Sequence, residues 1–200
     1  EVELHTKDIH LGTKATTTEE IHYDYIIGNP PFVGARLMTE EQKRDVINIF
    51  GAKWRNVGNM DYVCCWFRKA WFLTRRTDTK VAFVATNSIC QGEQVSSLWE
   101  ALMDDGLRID FAYRTFRWDS ESSAKAHVHC VIVGFSKDDY KNRAHTLYDN
   151  NKPSNVSNIN AYLMDAPNVF VENRSKPICK VPEMLFGNMP NDGGFLSNYS

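Results

Sequence analysis

Tyr23-Asp24-Tyr25-Ile26-Ile27-Gly28-Asn29-Pro30-Pro31-Phe32 is the stretch from which the fold is read. Tyr23 to Gly28 is an apolar run of strand length, and it halts at Gly-Asn-Pro-Pro because proline removes a ladder donor and fixes φ. Downstream, a loop with Gly34 leads to Thr39–Phe50, where Thr39 caps a polar helix carrying Glu40 and Glu41 in its first turn. Asp61 to Leu73 is expected to be an aromatic-rich helix that buries Tyr62, Cys65, Phe67, Ala70 and Trp71. Lys80 to Ala85 reads as the next strand. Gly92 to Asp105 reads as a helix, with Val95, Leu98, Leu102 and Met103 at helical spacing and Gly106 as its terminator. Ile109 to Trp118 and His127 to Phe135 read as two further strands joined by a polar linker.

That order is half of an α/β domain, with helices expected on both faces of a mostly parallel sheet and a last hairpin adding an antiparallel strand. Near Ser136 the composition turns to Asn, Pro and Ser. We therefore expect a partial Rossmann-like sheet over residues 1–136 and an irregular extension over 137–200. A partial sheet presents an apolar edge, so dimers or aggregates of the isolated chain are expected.

Composition narrows the function classes. The chain has 200 residues, 42% of them hydrophobic, enough for one core. It opens on Glu1 without a signal-peptide pattern, and the expectation is of an internal piece of a longer protein. Charges interrupt every apolar run, which argues against a membrane span. The five cysteines are odd in number, form no Cys-x-x-Cys pair and lie mostly in apolar stretches; they read as reduced, buried and cytoplasmic. A net charge of −2 excludes a uniformly basic nucleic-acid binder. Between Arg36 and Lys80, however, basic residues outnumber acids, leaving two alternatives: a solvated helix face or a phosphate-facing surface.

In open α/β sheets ligands bind beyond the carboxyl ends of the strands, which is where this reading puts Asn29 to Phe32. The residue types suit activation of an aromatic amine such as that of adenine, whose lone pair is delocalised into the ring. Acceptors on its two hydrogens, the Asn29 side-chain oxygen and the Pro30 carbonyl, favour a more tetrahedral nitrogen. Pro30 and Pro31 restrict the backbone, so the carbonyls keep one orientation. Phe32 can stack on a base extruded from a duplex. The alternative is that Asn-Pro-Pro ends a strand and does no more.

Asn29-Pro30-Pro31-Phe32 resembles motif IV of the amino-methyltransferases, in the form typical of adenine-N6 enzymes. Further stretches, at Met60 to Ala70, Val81 to Val95, Phe111 to Trp118 and Ala126 to Phe135, resemble the single-chain type II restriction-modification enzymes of the MmeI group. The tail, from Asp165 to Pro177 and Phe186 to Gly194, is similar to the stretch leading to their target-recognition domain. The resemblance implies transfer of a methyl group from S-adenosylmethionine to adenine N6 in double-stranded DNA, with base flipping. Residues 1–136 would then be the catalytic half of the methyltransferase domain.

It also implies that Asn29 and Pro30 bind the amine and that Phe32 stacks on the base. A second aromatic would pack against that base; Phe116 matches best and Trp118 next, with a core role as the alternative for Phe116. Asn29, and more weakly Asp8, would lie near the cofactor. The Gly-rich cofactor motif of the family is missing from the chain, as is the rest of its recognition domain, so the isolated chain is expected to be inactive. Arg114 and Arg117 flank Phe116 and are candidates for phosphate contacts. His127 and His129 have the spacing of a metal pair without further ligands, and packing or phosphate contact is the preferred reading. Two other functions remain open: methylation of a protein glutamine, and a non-catalytic DNA-binding module.

Overall fold

The computed structural model describes residues 23–118, 128–137, 144–172 and 179–180. Six strands form one sheet: β1 (Tyr25–Gly28), β2 (Lys80–Thr86), β3 (Leu107–Trp118), β4 (Val128–Lys137), β5 (His145–Asp149) and β6 (Lys152–Val156), in the order β1-β2-β4-β3-β5-β6. Three helices accompany it: α1 (Glu40–Phe50), α2 (Cys64–Thr74) and α3 (Gly92–Asp104). The fold is α/β, as expected. Within the described residues the pairings β1–β2 and β3–β5 are parallel while β2–β4, β3–β4 and β5–β6 are antiparallel, so the sheet is more mixed than the strand order suggested.

Local chemistry explains the helix ends. Thr39 Oγ1 accepts from the Gln42 amide at 3.2 Å, and Gln42 Oε1 accepts from the Thr39 amide at 3.0 Å, a reciprocal capping box that starts α1. Gly106, at φ +93°, ends the turn after α3, a conformation that favours glycine. α2 begins at Cys64 rather than at Asp61. Residues 61–63 instead form a tight turn in which the Cys64, Cys65 and Trp66 amides donate to carbonyls three residues back, and the Asp61 carboxylate bonds elsewhere.

The core lies between the sheet and its helices. Alternate residues of β2, Val81, Phe83 and Ala85, are buried, and so are Val131, Val133 and Phe135 of β4. Against them Phe67 of α2 packs edge-on to Phe83 and to Trp99 of α3, and stacked on Phe135, with centroids 5.4 to 5.6 Å apart. α2 and α3 therefore cover one face, and α1 packs on α2. The expectation of helices on both faces is not met by the described helices. Three tryptophans in this layer also satisfy their indole N–H: Trp54 donates to Ser97 O, Trp71 to Asp105 and Trp99 to Ile89 O, at 2.7 to 2.8 Å. No helix of the described residues is long and apolar enough to cross a membrane.

The sheet continues past Ser136. β5 extends it beside β3, and the β5–β6 hairpin turns at Asn150 and Asn151, both at positive φ (48° and 63°), the pairing a two-residue primed turn requires. The following loop is tied to the body: Arg114 Nε donates to Leu163 O at 3.0 Å, and Ile159, Ala161 and Leu163 are buried. Residues 144–166 thus belong structurally with the sheet, in contrast to the irregular extension expected there.

On the face opposite α2 and α3, the Phe111 ring of β3 lies flat over Gly134 of β4, where a side chain would overlap it. Gly134→Ala is therefore expected to destabilise the protein by about 1–3 kcal/mol in urea unfolding. The same change made in a Phe111→Ala background should cost markedly less, and additive costs would refute the clash.

Candidate active-site loop and its anchors

Two parallel strands, β1 and β2, run side by side toward the same end of the sheet: Gly28, the last residue of β1, pairs with Phe83, β2 continues to Thr86, and the chain leaves β1 at once through Asn29 to Phe32. Pro30 is buried, Asn29 and Pro31 are exposed, and Phe32 is half-buried against the core. No hydrogen bond among the described residues engages the Asn29 amide. Because neither proline can donate, the loop is secured further on. The Tyr62 amide donates to Val33 O at 2.9 Å, and the Ala35 amide donates to Asp61 Oδ1 at 3.0 Å. Ala35–Leu37 then closes a short 3-10 turn.

A second loop, after β2, meets the same acid. Ser88 Oγ donates to Asp61 Oδ2 at 2.6 Å and lies 2.7 Å from Thr86 Oγ1. From α3, Gln94 holds the 59–64 segment: its Oε1 accepts from the Asp61 amide and the Cys64 thiol, and its Nε2 donates to Asn59 O at 2.8 Å. At the start of that helix Glu93 accepts from Asn59 Nδ2 at 3.3 Å. Sequence inspection missed Asp61, Ser88 and Gln94. The available signal was that all three fall in stretches quoted for the family resemblance, next to the ends of predicted strands and helices.

Strand register locates the second aromatic. Thr86 pairs with Cys130 and Cys130 with Phe116, so Phe116 and Trp118 stand at the sheet end where β1 and β2 finish. β3 is three strand spacings from β1, about 14 Å. Between Tyr113 and Phe116 the register slips by one residue, a bulge that puts both rings on one side. Phe116 packs edge-on to Tyr113 at 5.4 Å, Tyr113 stacks on Tyr148 at 5.7 Å, and Trp118, 44% exposed, lies 6.2 Å from Phe116. Phe116 belongs to a half-exposed aromatic row rather than to the closed core.

Charged candidates separate. Arg114 is engaged by the protein itself, through Leu163 O and an ion pair with Asp149 at 3.0 Å. Arg117 is exposed at the sheet end. In the basic stretch, Arg68 lies over the Trp54, Phe72 and Phe50 rings at 4.1 to 5.3 Å, Arg75 pairs with Asp105, and Arg55 pairs with Glu100 and Glu172. Asp8 and His127 lie outside the described residues, and among those described no three His, Cys, Asp or Glu side chains cluster as metal ligands.

Titration is displaced beneath the loop. Burial, helped by the Asp61 charge, pushes the Cys64 thiol well above its usual range, and burial pushes Cys65 up to about 12. Burial and then the bond to Asp45 raise the Tyr62 hydroxyl to about 12, keeping it a donor at 2.8 Å. These thiols are neutral at physiological pH and are not nucleophiles. Brief alkylation of the native protein, read by mass spectrometry, is expected to label exposed Cys179 well ahead of the four buried cysteines. Rapid labelling of Cys64 would contradict this burial.

A Rossmann-like sheet with a proline-fixed loop at the ends of its parallel strands is the architecture of a methyltransferase domain. The chain belongs to the MmeI DNA-methyltransferase family: residues 5–149 match the family described as "MmeI, DNA-methyltransferase domain", and residues 165–198 match "MmeI, target recognition domain". It is 44% identical over 182 residues, 91% of its length, to "DNA methyltransferase A" of Bacillus subtilis (strain 168). It is also similar to the structure of the Type IIL restriction-modification enzyme MmeI in complex with DNA, with 42% identity and a TM-score of 0.76 over 85% of this chain. The chain spans 20% of the first relative and 23% of the second.

Proposed function

We propose that this chain forms the base pocket of a site-specific DNA methyltransferase of a restriction-modification system, which transfers a methyl group from S-adenosylmethionine to adenine N6. The observation that carries the reading is the Asn29–Phe32 loop, tethered through Val33 and Ala35 at the carboxyl end of a parallel strand, with an exposed Asn29 amide that no described residue engages. Asn29 Oδ1 and the Pro30 carbonyl accept the two amine hydrogens and localise the nitrogen lone pair. Phe32 stacks on the flipped base, and Phe116, with Trp118 behind it, closes its other side.

The cofactor, when bound, supplies an electrophilic methyl group. Of this chain's residues Asn29 fits beside it, being exposed where ligands of α/β sheets bind. Double-stranded DNA is the proposed partner, supported by the match of residues 165–198 to a target recognition domain and by the DNA complex of the relative. The same match favours DNA over a protein glutamine. Buried, neutral thiols are in keeping with a reducing, cytoplasmic setting.

The test uses the full-length protein. Wild type and Asn29→Ala are compared for labelled methyl transfer to mixed-sequence DNA, with the product identified by nucleoside mass spectrometry. N6-methyladenine is expected from wild type and should fall about 10²–10³-fold in the variant, as when one preorganised polar contact is removed from a reacting centre. Methylated cytosine, or no DNA methylation while the cofactor still binds, would reject the reading.

A further inference from the structure

The two prolines stiffen the Asn29–Phe32 loop internally, but stiffness does not say where the loop stands relative to the rest of the pocket. Amine activation depends on that placement, since an error near 1 Å at a reacting centre can cost about 100-fold in rate. The hydrogen bonds that set the placement converge on one side chain. Asp61 accepts from the Ala35 amide with Oδ1 at 3.0 Å and from the Ser88 hydroxyl with Oδ2 at 2.6 Å. Those donors lie 26 residues before it and 27 after it, one on each loop that leaves the parallel pair. Next to it, the Tyr62 amide donates to Val33 O at 2.9 Å, so the 61–62 segment grips the catalytic loop at two points. Gln94 of α3 fixes the segment from behind through the Asp61 amide and Asn59 O.

A carboxylate suits this post because it is acceptor-only and offers lone pairs on two sides, so it can take one donor from each loop at once. An ordinary helix start would not need it. A carboxylate in this position normally caps its own helix, and here it is directed away from α2 and across to the two loops.

We propose that Asp61 is a positioning residue for methyl transfer: it ties the Asn-Pro-Pro-Phe loop to the Thr86–Ser88 turn and thereby sets where Asn29 and Pro30 meet the target amine. The proposal rests on the adenine-N6 reading above. It assigns to Asp61 no contact with substrate. Loosening the tie lowers the rate of the chemical step and the fraction of base held in the pocket, and leaves DNA affinity almost untouched.

The test uses the full-length enzyme in five forms: wild type, Asn29→Ala, Asp61→Ala, Asp61→Asn and Ser88→Ala. For each, kcat and KM for duplex DNA are measured, together with fluorescence of 2-aminopurine placed at the target adenine and the folded fraction by circular dichroism. Asp61→Ala is expected to lower kcat about 10- to 100-fold with KM changed less than about threefold, and to alter the fluorescence of the flipped base. Asp61→Asn should recover most of the rate, because its oxygen still accepts from Ala35 and its amide can donate to the Ser88 oxygen. Ser88→Ala, which cuts only the link to β2, should fall between them.

A wild-type kcat in folded Asp61→Ala would overturn the proposal. So would equal losses in folded Asp61→Ala and Asp61→Asn, since the amide keeps the bonds, or an effect confined to KM. If Asp61→Ala does not fold, a wild-type rate and base signal in Ser88→Ala overturn it. The underlying reading fails differently: wild type then makes no N6-methyladenine, or Asn29→Ala stays fully active, and the positioning role falls with it.

Discussion

Phe67 is the wedge on which the loop end of the molecule depends. From one position on α2 it touches Phe83 of β2, Phe135 of β4 and Trp99 of α3, with no part of the residue exposed. Close-packed interiors resist continuous sliding, so a helix wedged among three elements has one axial position available. Slipping α2 by a turn would move its start by about 5.4 Å. Asp61 and Tyr62 stand directly before that helix, and their bonds to Val33 and Ala35 could not survive such a move. Apolar packing in the layer beneath therefore determines the geometry of a polar site at its rim.

Hydrophobic burial alone could not finish the task. Pro30 and Pro31 have no amide to offer a neighbouring strand, so the chain leaves the ladder where orientation matters most. Contacts between apolar groups are non-directional and would leave the loop free to tilt. Hydrogen bonds supply direction, and here they act on Val33 and Ala35, just beyond the prolines, without using the Asn29 amide. The aromatic row on β3 follows a related plan. A one-residue bulge turns Phe116 to the side of Tyr113, and Tyr113 in turn rests on Tyr148 and bonds Asn151 of the hairpin.

Much of this was legible in the residues. Thr39, followed by Glu40 and Glu41, announced the start of α1, Gly106 the stop after α3, and the apolar run into Gly28-Asn29-Pro30-Pro31 the strand and its abrupt end. What escaped depended on tertiary partners. Asp61 looked like a helix-starting residue, and only the arrival of Ala35 and Ser88 from distant segments shows why its carboxylate serves elsewhere. β5 and β6 were lost because short strands on the polar side of Ser136 carry no hydrophobic period, although Asn150-Asn151 between them was a readable turn signal. Parallel and antiparallel pairing was also out of reach, since strand order along the chain does not say that β4 inserts between β2 and β3. Phe116 could be placed at the end of the sheet where β2 finishes only through the register of β4.

Charge shows the same dependence on partners. The excess of Lys and Arg between Arg36 and Lys80 offered a phosphate-facing surface, yet several of its arginines hold the protein together. Arg68 is sandwiched by aromatic rings and donates to Ile49 O, Arg75 meets Asp105, and Arg55 joins α3 to the tail through Glu100 and Glu172. Arg114, outside that stretch, binds the 157–166 loop to β3. A guanidinium is suited to such posts because its planar fork stacks on rings and bonds carbonyls and carboxylates together, which a lysine cannot imitate. Under the proposed function, arginines spent in this way release few counterions from DNA.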